Sequence, residues 1–263
     1  MPINPVPAVT LTPVAYFPEK YFLENLTVRS DGSILITAVL QKELWCVPGP
    51  EPRTDVAPVL VHTFEHPVSG ILEVEPDVFI VCLTDAYTTH ESHLARIDFT
   101  DWTPGEPVSP DIIFTFDDRV RGLNGSCLLG PGVMLVADCF AGFIWRIDLG
   151  QDARSAIARI WLAHDTMAMD PAGNAEFAYV TRHRANTVDR VPLEPRQGSE
   201  VRHIAGDPLD KALIGPSSAA WSRSPGDHGR VAYVTTDGGI TAPPDGVVRK
   251  AALLRLELQP HVT

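Results

Sequence analysis

Five times along the chain, a short apolar segment is followed by a turn bearing Gly or Pro and then by a second, more strongly apolar segment. The copies begin near positions 24, 70, 124, 165 and 217, so the steps between them are 46, 54, 41 and 52 residues. The third copy shows the form: Leu123-Asn124-Gly125-Ser126-Cys127-Leu128-Leu129, the turn Gly130-Pro131-Gly132, then Val133-Met134-Leu135-Val136-Ala137. A repeat of that length built only from strands cannot bury its faces alone and must stack on its neighbours, which is how the blades of a β-propeller hold together. The expected fold is all-β: one β-propeller domain over 1–263, with five blades of four antiparallel strands. A propeller gathers the first residue of every blade around one central funnel, so Glu24, Asn124 and Asp165 are expected to converge despite their separation in sequence.

The strands can be read within each copy. Runs such as Ile34 to Leu40, Val78 to Leu83, Val133 to Ala137, Glu176 to Thr181 and Arg230 to Thr235 suit strands covered on both faces. The next strand of each blade alternates, as in Phe143-Ile144-Trp145-Arg146-Ile147-Asp148, and outer strands follow at Val59 to Phe64, Asp111 to Phe116, Ala156 to Leu162 and Glu200 to Ile204. The segment Val14-Ala15-Tyr16-Phe17 has no blade of its own and is expected to pair with the last one, removing an exposed edge. Most of the 24 prolines and 19 glycines fall between strands, as turn punctuation, and helix signals are nearly absent, with at most one turn over Leu209 to Leu213.

Bulk properties exclude several function classes. The net charge of −12 argues against nucleic acid as a partner, since phosphates are bound by a surplus of Lys and Arg. No apolar run approaches the ~18 residues of a membrane span. Cys46, Cys82, Cys127 and Cys139 form no CxxC pair and are expected to be buried small apolar residues in strands rather than a disulfide framework. The N-terminus has neither a basic n-region nor an apolar h-region, so no signal peptide is expected in this chain; a cytoplasmic protein and the mature form of a secreted one both stay open. The sequence carries no GxSxG elbow, P-loop, GxGxxG, HExxH or zinc-ligand spacing.

The segments Glu-Asn-Leu-Thr-Val-Arg at 24–29, Leu-Asn-Gly at 123–125, Gly-Pro-Ser-Ser-Ala-Ala-Trp at 215–221 and Tyr-Val-Thr-Thr-Asp-Gly-Gly-Ile-Thr-Ala-Pro at 233–243 resemble fungal members of the senescence-marker-protein/gluconolactonase superfamily. The likeness runs over nearly the whole chain. It implies six blades, whereas the repeat here counts five: Trp161-Leu162-Ala163-His164 runs straight into the copy at Asp165, where a fourth blade of about 50 residues would be expected. The chain is read as five-bladed, the alternative being loss of the fourth blade from this form. The resemblance also implies a divalent cation, Ca²⁺ or Mg²⁺, at the funnel mouth, with Glu24, Asn124 and Asp165 matching three of its four ligands and the fourth falling in the absent blade. No organic cofactor is expected.

Loops between second and third strands supply the remaining mouth candidates: Tyr87 and His90, Asp138 and Phe140, His183, and Asp237. Together with Asn124 and Trp221 they mix aromatic walls with polar groups, as a small-molecule pocket requires. Three functions follow. Similarity to the branch that includes natural-product hetero-Diels–Alderases implies an enzyme of fungal natural-product metabolism. It would take a hydrophobic substrate through dehydration and cyclisation, with Glu24 or Asp165 as base and His183 as acid, walled by Tyr87, Phe140 and Trp221. The second is a metal-dependent lactonase, in which the cation polarises the lactone carbonyl and Asp165 ligates it or acts as base. The third is a binding propeller without catalysis.

Overall fold

The computed structural model describes residues 8–49, 54–161, 168–169, 177–193, 200–227 and 229–259. It is a β-propeller of five four-stranded antiparallel blades. Contacts divide the chain into two compact units, one holding blades one to three (24–47 and 59–166) and one holding blades four and five (1–23, 48–58 and 167–263).

In the first unit, blade one is β2 (Leu23–Val28), β3 (Ile34–Ala38), β4 (Glu43–Val47) and β5 (Val59–Thr63), following the outer strand β1 described below. Blade two is β6 (Val68–Glu75), β7 (Val78–Thr84), β8 (Ser92–Asp98) and β9 (Asp111–Thr115). Blade three is β10 (Leu123–Gly130), β11 (Val133–Asp138), β12 (Phe143–Leu149) and β13 (Ala156–Trp161). Of the runs expected to be covered on both faces, β3 and β7 are, every residue being buried, whereas β11 alternates between buried and half-buried positions and the strand Phe177–Arg182 is mostly half-buried. Between blades one and two, Leu35, Leu44, Phe79, Val81 and Ile97 form one core; between blades two and three, Ile80, Leu94, Met134, Val136 and Trp145 form another. Burial of such side chains contributes about 1.5–3 kcal/mol each.

Polar stitches register these blades. Thr37 Oγ1 donates to the Ser69 carbonyl at 2.6 Å, and Ser69 Oγ donates to the Leu123 carbonyl at 2.7 Å. Arg29 is buried under Phe99 and Trp102, its guanidinium carbon 5.4 and 5.7 Å from their ring centres, and its Nε reaches Asp77 Oδ1 at 3.0 Å. A buried cation needs such a partner, because removing either leaves an uncompensated charge. The register pairs Val68 with Leu83 and Leu123 with Asp138, so Asn124 occupies in β10 the place that the stitching Ser69 holds in β6.

In the second unit, blade four is β14 (Ala168–Met169), β15 (Phe177–Arg182), β16 (Thr187–Pro192) and β17 (Arg202–Gly206). Blade five is β18 (Pro216–Trp221), β19 (Val231–Thr236) and β20 (Lys250–Leu258), completed by β1 (Val9–Glu19). The N-terminal strand pairs antiparallel with β20, from Val9 opposite Leu258 to Glu19 opposite Lys250. Val188, Ile204, Leu213, Val234 and Leu254 form the core between the two blades. The helical turn expected at 209–213 is absent. Asp207 and Asp210 instead accept bonds from the Leu209 and Ala212 amides, local turns that compete with helix. Short 3₁₀ turns lie at Gln151–Ala153 and His183–Ala185. Among the described residues no helix is long and apolar enough to cross a membrane.

Candidate functional site

Two loop clusters carry chemistry, one in each unit. In the first, the turn after β11 begins with Asp138 and Cys139. The expectation that Asp138 contacts a substrate is corrected: it is 2% exposed, and its carboxylate accepts from the amides of Arg121, Gly122 and Ala141 and from Trp145 Nε1. Its lone pairs are spent on holding the turn. That turn presents Cys139, whose thiol accepts a hydrogen bond from the Asn124 side chain and feels the Glu24 carboxylate. Glu24 and Asn124 therefore do come together, around a sulfur. Burial pushes the Cys139 thiol up from its ordinary value; the Asn124 bond pulls it down, and the charges of Asp138 and Glu24 add to the rise. The expectation that all four cysteines are buried holds for Cys46 and Cys82 but not for Cys127 and Cys139, and all four are free thiols.

Above this cluster stands an aromatic pair. Tyr87, 84% exposed, meets Phe140 edge to face at 5.6 Å between ring centres. Asp85 props the Tyr87 loop by accepting from the amides of residues 87, 88 and 89, and these bonds hold its carboxyl below the usual range against the opposing effect of burial. His90 ends that loop at φ 60°, with Nδ1 buried and lacking a hydrogen-bond partner.

In the second unit, His183 and Asp237 form a pair. His183 opens the 3₁₀ turn after β15, and Asp237 directly follows β19. Nε2 of His183 lies 3.0 Å from Asp237 Oδ2. Asp237 is fully buried, and its other oxygen accepts the Gly239 amide at 2.6 Å, with Thr241 Oγ1 at 3.4 Å from Oδ2. A carboxylate only accepts, so the ring proton is assigned to Nε2, leaving the Nδ1 lone pair for chemistry. The imidazole side chain stays 28% exposed and rests against Phe22, with ring centres 5.5 Å apart.

The surrounding backbone builds the niche. Gly215 sits at φ 63°, and a Cβ there would collide with the Asp237 carboxylate; its carbonyl accepts the Asp237 amide, and its own amide donates to Asn186 Oδ1. Asn186 is itself buried in the left-handed region, where Asn is tolerated best among non-glycine residues. Trp221 is not part of the site. Register places it opposite Ala232, at the far end of β18 from Pro216 and Thr236, where it packs edge-on against Tyr179 in the core. The sequence reading missed Phe22 and Gly215 as site-builders, although Gly215 opens one of the motifs quoted for the resemblance.

Two of the three expected cation ligands, Glu24 and Asn124, are among the described residues. Asp165 lies outside the described residues. Glu24 offers one carboxylate and Asn124 its Oδ1, since it is the amide NH2 of Asn124 that donates to the Cys139 thiol. Ca²⁺ wants six to eight oxygens and Mg²⁺ near-octahedral oxygen geometry. Among the described residues no three His, Cys, Asp or Glu side chains are grouped to hold an ion.

Comparison with known proteins agrees on the fold. No family model matches the chain, and no curated protein matches it. Among solved structures it is similar to the PQQ-bound aldose sugar dehydrogenase of Streptomyces coelicolor, with a TM-score of 0.56 at 11% identity over 96% of this chain and 99% of that one. A putative gluconolactonase gives a TM-score of 0.51 at 14% identity, over 96% and 94%. A putative glucose dehydrogenase of Thermus thermophilus gives 0.50 at 15%, over 95% and 100%. At these identities the likeness concerns the β-propeller fold, of which gluconolactonase-like and sugar-dehydrogenase-like proteins are the neighbours.

Proposed function

We propose that the protein is a hydrolase of small lactones, with His183 as general base and Asp237 as the residue that orients it. The carrying observation is the His183–Asp237 pair: a fully buried carboxylate 3.0 Å from a ring that remains reachable from solvent. A putative gluconolactonase among the structural neighbours supports the same reading. In the reaction, His183 Nδ1 takes a proton from water. The resulting hydroxide adds to the lactone carbonyl carbon, and the ring C–O bond breaks. His183 then returns the proton to the leaving oxygen, so lactone and water become one hydroxy acid. Asp237 fixes the tautomer and offsets the positive charge of the transient imidazolium. No step is assigned to a metal.

The cyclisation of a hydrophobic natural product is the second reading, and the exposed Tyr87–Phe140 wall is the observation in its favour. It ranks lower because that wall adjoins the protonated thiol of Cys139, whereas His183 is a carboxylate-oriented imidazole on a loop between strands; the other such pair, His203 Nδ1 with Asp189 Oδ1 at 2.6 Å, lies on the outer strand β17. Titration of acid released from a panel of γ- and δ-lactones tests the proposal. The expected result is turnover that falls about 10²–10⁴-fold in kcat for His183→Gln. Turnover that survives His183→Gln, or no hydrolysis of any lactone, overturns it.

A further inference from the structure

Blade five holds a cavity of about 350 Å³ that the lactone reading does not use. That volume lies within the range of small-molecule sites, about 300–1,000 Å³. Its lining has two chemistries. Lys250, Ala252 and Leu254 alternate along β20 and so share one face of the strand. Leu11 and Pro13 of β1 continue the apolar surface, and Ile214 closes it from the connector between blades four and five. The same face runs on into the core through Leu256 and Leu258, so the apolar end is closed by packing.

The other end is cationic. Lys211, Arg249 and Lys250 all line the cavity, three of the 21 basic residues of a chain whose net charge is −12. Asp245 engages two of them: Arg249 in a fork at 2.9 and 2.5 Å, and Lys211 at 3.1 Å. Those bonds hold the Asp245 carboxyl well below the usual carboxylate range. Among the described residues Lys250 has no such partner. The cluster thus keeps a surplus of positive charge at the rim of an apolar hole, inside an otherwise acidic protein.

We propose that this cavity binds a small amphipathic carboxylate, its apolar body on the Leu11–Leu254 floor and its charged head at Lys250 and the outer face of Arg249. The site is separate from the pair of His183 and Asp237, and the proposal does not rest on lactone hydrolysis. It adjoins that pair through the chain, since the lining residues Thr236 and Gly238 flank Asp237 on either side.

Octanoate, octanol and acetate, titrated calorimetrically into the full chain, test it. Octanoate is expected to bind one to one. Octanol, which keeps the tail and loses the charge, and acetate, which keeps the charge and loses the tail, should each bind at least about tenfold more weakly. Lys250→Met keeps the stem and removes the charge, and should weaken octanoate about tenfold with an unchanged melting temperature, the side chain being exposed. Ala252→Phe should fill the floor and abolish binding. His183→Gln should leave octanoate binding unchanged, which separates this site from the proposed catalytic one. Equal binding of octanol and octanoate, or octanoate binding indifferent to both Lys250→Met and Ala252→Phe, overturns the proposal.

Discussion

Asp138 and Asp237 stand one register step apart in two blades: Asp138 closes β11 opposite Leu123, whereas Asp237 follows β19 at the place that Cys139 holds after β11, each of these two amides donating to the carbonyl of a glycine before the blade's first strand; both carboxylates are buried. Each accepts backbone amides from the turn it organises. Asp138 has four donors and gives nothing to solvent, so what its turn displays is a neutral, protonated Cys139 beside Glu24 and Asn124. Asp237 keeps an oxygen for His183, so its turn displays an imidazole with a defined tautomer. The same device, a carboxylate under a strand-end turn, is structural in one blade and chemical in the other. What differs is whether a titratable ring lies within reach.

The largest test of that contrast is Asp237→Asn. The shape stays, but an amide can donate to Nε2 and favour the other tautomer, placing the lone pair on the wrong nitrogen. Lactone turnover should drop by about 10²–10⁴-fold in kcat. Asp138→Asn should leave kcat unchanged. Equal kinetic effects of the two substitutions would mean that the His183–Asp237 pair is no more than a structural contact.

Stability should order them the other way for truncation. Asp138→Ala strands the buried Gly122 amide and the buried Trp145 indole N–H, and frees the part-buried amides of Arg121 and Ala141 to water, each buried unsatisfied donor costing about 1–3 kcal/mol before relaxation or water entry. A net loss of about 3 kcal/mol would lower Tm by roughly 6–12 °C at this size. Calorimetry of Asp138→Ala checks it, and a shift under 2 °C would show that water replaces the carboxylate freely.

How much of this could be read from the sequence follows from what repeats and what does not. The five-copy pattern specifies strands, blade count and the outer place of the N-terminal strand, because each is a consequence of burying period-2 faces. Loop chemistry has no such period. Asp138 and Asp237 look alike as sequence, one before Cys-Phe and the other before Gly-Gly, and only their donors separate them. Trp221 was misplaced for a related reason. A strand of six residues spans roughly 20 Å, so the motif that starts at Gly215 begins at one end of the blade and ends at the other. Burial is the usual state of Cys, and nothing local marks Cys139 as different, since the Glu24 carboxylate beside it comes from more than a hundred positions away.

Gly215→Ala carries a smaller effect on the same niche. The residue's φ of 63° costs an alanine about 1–3 kcal/mol, and the added methyl would press on the Asp237 carboxylate. Melting should fall modestly, and kcat should fall more than binding of substrate, since the group displaced orients the base. A variant that loses stability with kcat intact would separate the glycine from the catalytic geometry.

The smallest expected effects belong to the Cys139 cluster and would sharpen its half of the comparison. Only the thiolate reacts with iodoacetamide, and burial raises the pKa of Cys139, so labelling should be slow near neutrality and quicken as the pH climbs. Cys82, pushed up to about 12 by burial, should label only on unfolding. Glu24→Gln removes a negative charge that opposes ionisation, so Cys139 should label a few-fold faster at fixed pH; Asn124→Ala removes the bond that favours the thiolate, so labelling should slow by a similar factor. Opposite signs from two neighbours of one sulfur are hard to obtain by a general loosening of the blade, which would speed labelling in both variants. If both variants do speed it, Glu24 and Asn124 act on packing, and the electrostatic account of this turn fails while that of the His183–Asp237 turn stands.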